Sequence, residues 1–222
     1  MQVRLATPGT SEDYVTGRLW RLARLPHCPW HPRGGCRLAR HGTYERADPP
    51  GALIARWYCP LERRTVSALP DALASHQRGT LADVGATIRA IERAGSVACA
   101  ARTIRQDIEL PGALRYLGRL SRRVRAALVA IKGLEPRLFV GLSPTLAAFA
   151  ERLDVDVVAV PATLRARSAR HLLGLPSPIG FAPRRIGSGH DGAPSPHRSG
   201  RDPPSVRTEA LVLLPEPESS AR

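Results

Sequence analysis

Residues 80–132 read TLADVGATIRAIERAGSVACAARTIRQDIELPGALRYLGRLSRRVRAALVAIK, and the fold class follows from this stretch. Thr80 and Asp83 have the spacing of a capping box, and Leu81, Val84, Ile88 and Ile91 recur at helical steps. Gly95 can end that helix in the left-handed conformation, and Ser96 can open a second, alanine-rich helix from Val97 to about Arg105. Gln106 to Leu110 breaks the pattern. Pro111 suits a first helical turn, where the amide it lacks has no partner to lose. A third helix is predicted from Pro111 to about Ile131. Leu114, Leu117, Val124, Leu128 and Ile131 form its apolar stripe. Arg115, Arg119, Arg122 and Arg123 fall largely on another side, with Arg125 near the edge, and no acid lies between Pro111 and Ile131. A short helix, a turn and a long helix make the helix-turn-helix layout, whose second helix enters the DNA major groove. These five arginines are the candidate nucleic-acid contacts, offered to phosphates and guanine edges. The competing reading of the same residues is a three-helix bundle with a solvated basic face.

Upstream, Ser11 to Arg24 is predicted to be a helix capped by Ser11 and stopped by Pro26. His27 to Leu69 places Cys28, Cys36 and Cys59 among Pro, Gly and Arg. Gly42 to Arg46 and Leu53 to Tyr58 look like short strands about an Asp48-Pro-Pro-Gly turn. A ribbon this small buries little surface and calls for a metal staple. Cys28-Pro-Trp-His31 offers a ligand at each end. A tetrahedral site can draw on Cys28, His31, Cys36 and Cys59, or recruit Glu62, with Zn2+ as the expected ion. The alternatives are a metal-free ribbon and a Cys28–Cys36 disulfide formed on oxidation. His76 reads as a solvated loop histidine in a linker from Pro70 to Gly79. Cys99 reads as a small buried residue of the second helix.

The runs Cys28-Pro-Trp-His-Pro-Arg-Gly-Gly-Cys36, Arg40-His-Gly-Thr-Tyr-Glu-Arg46, Arg56-Trp-Tyr-Cys59-Pro and Ser67-Ala-Leu-Pro-Asp71 resemble bacterial mobile-element proteins. They are similar to the zinc-ribbon and helix-turn-helix portions of insertion-sequence transposases. The resemblance continues through Glu109-Leu-Pro-Gly-Ala-Leu-Arg-Tyr116. It implies binding of double-stranded DNA at a mobile element, with a transposase as a further partner. In such ribbons a second cysteine follows the one matching Cys59 by a few residues, and Arg64 stands at about that place here.

Downstream, Ser143 and Pro144 are predicted to open a helix to about Leu153. Val155 to Val160 is a short strand or a helical turn, and Pro161 can restart a helix to about Leu173 carrying Arg165, Arg167 and Arg170. From Pro176 onward Pro, Gly, Ser and Arg dominate, which predicts a disordered tail. Arg184, Arg185, Arg198 and Arg201 in it can hold nucleic acid without sequence preference.

The 222-residue chain carries a net charge of +14, which favours polyanionic partners. Lys132 is the only lysine, so a GC-rich coding bias toward arginine contributes to that total. No run approaches the roughly 18 apolar residues of a membrane span. Met1 to Thr10 lacks the apolar block of a secretory signal, so a cytoplasmic, nucleoid-associated location is expected. Catalysis is not expected. Asp154 and Asp156 lack the third acid and the sheet-based domain of a two-metal nuclease, and neither a phosphate loop nor a deaminase pattern is present.

The expected architecture is mainly α with a small β-ribbon (α+β). It comprises an N-terminal helix (1–26), a degenerate zinc-ribbon-like module (27–70), a helix-turn-helix region (79–135), supporting helices (141–175) and a disordered Pro/Arg-rich tail (176–222). The leading functional expectation is a DNA-binding protein accessory or regulatory to a transposable element. The alternatives are a protein-interaction adaptor to a transposase, a nonspecific nucleic-acid binder, and an inactive mobile-element remnant.

Overall fold

The computed structural model describes residues 1–104 and 110–182. The expected break at 106–109 and the tail residues Arg184, Arg185, Arg198 and Arg201 lie outside the described residues. Four strands form one mixed sheet: β1 (Gln2–Leu5), β2 (Ala39–Glu45), β3 (Leu53–Cys59) and β4 (Arg64–Pro70), in the order β1-β4-β3-β2. β2, β3 and β4 are an antiparallel meander. β1 runs parallel to β4, with Gln2 opposite Ser67 and Leu5 opposite Pro70. The helices are α1 (Ser11–Thr16), α2 (Leu81–Arg93), α3 (Val97–Ile104), α4 (Leu110–Leu134), α5 (Pro136–Phe139), α6 (Leu146–Leu153) and α7 (Val160–Arg167). The α+β class is as expected, but β1 and β4 extend the anticipated two-stranded ribbon to four strands. β4 lacks a clean alternation because Val66 to Pro70 are all buried, and β1 is only four residues long.

The N-terminal helix is shorter than expected. Thr10, not Ser11, caps it, in a capping box with Asp13, whose carboxylate accepts from the Thr10 amide at 2.7 Å. Gly17 ends it after Thr16, and Arg18, at φ 49°, turns the chain into a 3-10 turn over Leu19–Arg21. That turn brings Trp20 against Tyr14, and the Tyr14 hydroxyl donates to the Leu53 carbonyl at 2.8 Å, fastening the segment to β3.

The three helices expected between Thr80 and Lys132 form close to their predicted bounds. Thr80 and Asp83 form the capping box of α2, and Leu81, Val84, Ile88 and Ile91 are buried. α4 buries Ala113, Leu117, Leu120, Val124, Ala127, Leu128 and Ile131 and runs through Gly133 to Leu134. Lys132 donates to the Leu142 carbonyl and so holds the turn beyond α5. One continuous core joins the sheet, through Ile54, Trp57, Val66 and Leu69, to α2, α4 and α6. α6 is capped by Thr145, and the Glu92 carboxylate accepts from the Leu146 and Ala147 amides. Residues 155–159 form no strand, and α7 begins at Val160.

Two single-residue expectations and one segment are corrected. Cys99 is exposed, because α3 turns Ala100 and Ala101 to the core instead. His76 is half-buried at φ 51°, and its amide donates to Gln2 Oε1 at 3.1 Å. Pro176 to Ala182, assigned to the tail, packs onto the core through Ile179 and Phe181.

Two arginines tie together the end of β4, the connection to α2 and the residues after α7. Arg46 donates to the carbonyls of Asp48, Ala74, Gln77 and Gly79, which fixes the connection from β4 to α2. Arg165 is fully buried and donates to the carbonyls of Pro70, Asp71, Leu73, Pro178 and Ile179. Burial pushes its pKa down to about 9, so it stays charged at neutral pH.

Candidate metal centre and the arginine face of α4

Cys28, His31, Cys36 and Cys59 converge. Their ligand atoms all lie within 4.8 Å of one another. They arrive by three local devices. Cys28 and His31 face each other across a tight turn, with the His31 amide donating to the Cys28 carbonyl at 3.1 Å. Pro29 sits inside that turn, where no amide is needed from it. Gly34 and Gly35, at φ 87° and 86°, let the chain double back so that Cys36 reaches the same point. Cys59 is the last residue of β3 and is fully buried. The β3–β4 connection, 60–63, then closes with Arg63 at φ 51°.

The distances suit a metal. His31 Nδ1 lies 3.5 Å from Cys28 Sγ and 3.5 Å from Cys59 Sγ. In a tetrahedral zinc site with sulfur at about 2.3 Å and nitrogen at about 2.0–2.1 Å, adjacent sulfur and nitrogen ligands are about 3.5 Å apart. Burial opposes ionisation of Cys28, but hydrogen bonds from His31, from the Trp30 and His31 amides and from Cys36 outweigh it and bring the thiol down to about 7. Burial, together with the neighbouring Cys28 and Cys59, pushes the Cys36 thiol up to about 11. Three sulfurs crowded against one imidazole repel as thiolates, and a divalent cation removes that conflict. The four residues therefore fit a metal ion. The sequence supplied all four, including Cys36. The signal for Cys36 as a ligand is the Gly34-Gly35 pair that lets it turn inward.

The second candidate feature is α4. Arg115, Arg119, Arg122 and Arg125 are exposed and lie on the side opposite the buried Ala113–Leu117–Leu120–Val124 stripe. Arg119 and Arg122 donate through Nε to carbonyls of their own helix, at Arg115 and Gly118. Arg123 differs: it is half-buried and donates to Gln77 Oε1 at 3.4 Å, which engages it with the loop before α2. Among the described residues, the salt bridges join Arg4 to Asp71, Arg89 to Asp156 and Arg167 to Glu135, and His31 Nε2 lies 3.8 Å from the Glu62 carboxylate. None of them takes up Arg115, Arg119, Arg122 or Arg125. α4 is long enough for a membrane, but no helix among the described residues is both long and apolar enough to cross one.

No protein-family model matches the chain, and no curated protein and no solved structure matches it.

Proposed function

We propose that this protein binds double-stranded DNA, with the outward face of α4 as the reader and a zinc-stapled sheet module as its support. The observation that carries the reading is the row Arg115, Arg119, Arg122 and Arg125 on a 25-residue helix whose opposite face is anchored in the core. An anchored helix presents its guanidinium groups without losing order on binding, and arginine suits both phosphate and guanine contacts. The packing of α3 against α4 is in keeping with a helix-turn-helix arrangement. The net charge of +14 adds long-range attraction to a polyanion.

Zn2+ is the ion that the three-sulfur, one-nitrogen donor set favours. Four protein ligands close the coordination sphere, so the metal's contribution is folding energy for the β2–β3–β4 module. The resemblance of Cys28 to Asp71 to mobile-element proteins makes the ends of such an element the first DNA to examine.

The test is selection from a pool of genomic DNA fragments by the purified chain, with metal content measured on the same preparation. Enrichment of particular fragments that is lost in Arg115→Ala/Arg119→Ala supports the reading. Binding with equal affinity to every fragment, unchanged by those substitutions, removes α4 as the reader. Capture of a partner protein with no DNA retained supports an adaptor instead.

A further inference from the structure

The centre has an outer carboxylate. His31 presents Nδ1 to the sulfurs of Cys28 and Cys59, each at 3.5 Å, and presents its other nitrogen, Nε2, to Glu62 Oε1 at 3.8 Å. We propose that Glu62 is a positioning residue for the metal centre: from 3.8 Å, a small rotation of its half-exposed side chain brings the carboxylate onto the Nε2–H of His31 and so fixes Nδ1 as the ligating nitrogen. This inference rests on the reading of Cys28, His31, Cys36 and Cys59 as a metal site.

The placement of Glu62 follows from two turns of the same spacing. Cys28-Pro29-Trp30-His31 and Cys59-Pro60-Leu61-Glu62 each put an acidic or basic side chain three residues after a buried cysteine that opens a Cys-Pro step. In the first turn the fourth residue faces the sulfurs. In the second, the fourth residue meets the back of His31. The position that a symmetrical pair of turns would give to Glu62 in the first coordination sphere is supplied by Cys36, delivered by the Gly34-Gly35 reversal. The Glu62 carboxylate stands outside the cluster of four ligand atoms, on the far side of the imidazole.

The chemistry of an imidazole ligand gives this contact its consequence. A neutral histidine carries one proton, and the nitrogen without it is the one that binds metal. An acceptor at Nε2 selects the tautomer with Nδ1 bare, limits rotation of the ring, and raises the electron density that Nδ1 can donate. Removing such an outer partner weakens metal binding by about 10–100-fold. A glutamate that merely decorated the hairpin would have no such effect. A glutamate that ligated the metal itself would alter the ligand field when removed.

The experiment uses the full chain loaded with Zn2+ or Co2+, in competition with a chromophoric chelator, for the unchanged protein and for Glu62→Gln, Glu62→Leu and Cys36→Ser. The expected result is a roughly 10–100-fold loss of affinity in Glu62→Leu and a smaller loss in Glu62→Gln, whose amide oxygen still accepts a hydrogen bond. The Co2+ spectrum should retain the charge-transfer intensity of three thiolates in both Glu62 variants and drop to that of two in Cys36→Ser. Nitrogen-15 NMR of the Zn2+-loaded protein should show His31 protonated at Nε2. Unchanged affinity in Glu62→Leu overturns the proposal. A Glu62 variant with a changed ligand field, beside a Cys36→Ser variant with an unchanged one, overturns it in favour of Glu62 as a ligand. Failure of the unchanged protein to take up either metal removes the underlying site and the proposal with it.

Discussion

Arg165 donates its Nε–H to the Ile179 carbonyl across 2.8 Å, and this bond ties α7 to the segment that follows it. The same guanidinium reaches the carbonyls of Pro70, Asp71 and Leu73 at the end of β4. A single buried cation thus stands where the sheet, α7 and the 176–182 segment meet. Its ring-side neighbour is Phe181, with the guanidinium carbon 5.1 Å from the ring centroid. Replacing Arg165 with Met keeps much of the side-chain volume but leaves these carbonyls without their donor. Urea denaturation should show a loss on the order of 3 kcal/mol or more, because each buried acceptor left unpaired costs about 1–3 kcal/mol.

Gly85 faces the backbone of Val158, and a Cβ added there would lie 2.5 Å from the Val158 carbonyl oxygen. Backbone atoms cannot step aside as a flexible side chain can. Gly85→Ala should therefore push α2 away from the residues preceding α7, despite the better helix propensity of alanine. A loss of about 1–3 kcal/mol in denaturant unfolding is expected, and a gain in stability would contradict the close approach.

Thr80 caps α2 by accepting from the Asp83 amide at 3.0 Å, and Asp83 returns the contact by accepting from the Thr80 amide at 2.8 Å. Thr80→Ala should cost about 1 kcal/mol, read as a lowered midpoint in thermal or urea unfolding. The equivalent box in α1 carries a pH signature. Hydrogen bonds from the Thr10 amide and hydroxyl hold the Asp13 carboxyl below its ordinary range. A folded-state pKa below the unfolded one stabilises above the unfolded value and fades as pH falls through the folded value. The difference in stability between the unchanged protein and Asp13→Asn should accordingly shrink on acidification below about pH 4.

Chelation tests the proposed metal staple. The β2–β3–β4 module joins the rest of the core through Trp57, Ile54 and Val66, and Cys28, His31, Cys36 and Cys59 cluster at its cysteine end. Removing metal, or replacing Cys59 with Ser, should raise amide exchange at 28–36 and 57–66 while α2 and α4 stay protected. Uniform loss of protection across the chain would mean that the metal holds the whole fold.

On the proposed reading of α4, affinity for DNA should fall steeply with salt. Each phosphate-contacting arginine changed to Ala should flatten the slope of log K against log salt by about 1. Arg115, Arg119, Arg122 and Arg125 are the residues to change. Arg123, engaged with Gln77, should affect stability more than the salt slope.

The sequence alone determined whatever depends on neighbours a few residues away. The period of Leu81, Val84, Ile88 and Ile91 and the box of Thr80 and Asp83 placed α2, and the stripe from Leu114 to Ile131 placed α4 to within a few residues. The turn chemistry around Cys28, His31, Cys36 and Cys59 singled out the four residues that converge, with Glu62 as an alternative, before any distance was known. Tertiary structure alone decided the pairing of β1 with β4, the burial of Arg165 and Arg46, and the exposure of Cys99. A four-residue strand such as β1 carries too few side chains to announce its partner. An arginine enters a core only where several distant carbonyls happen to converge on it, and no local pattern records that convergence. Periodicity is written along the chain, whereas the satisfaction of a buried charge is written across it.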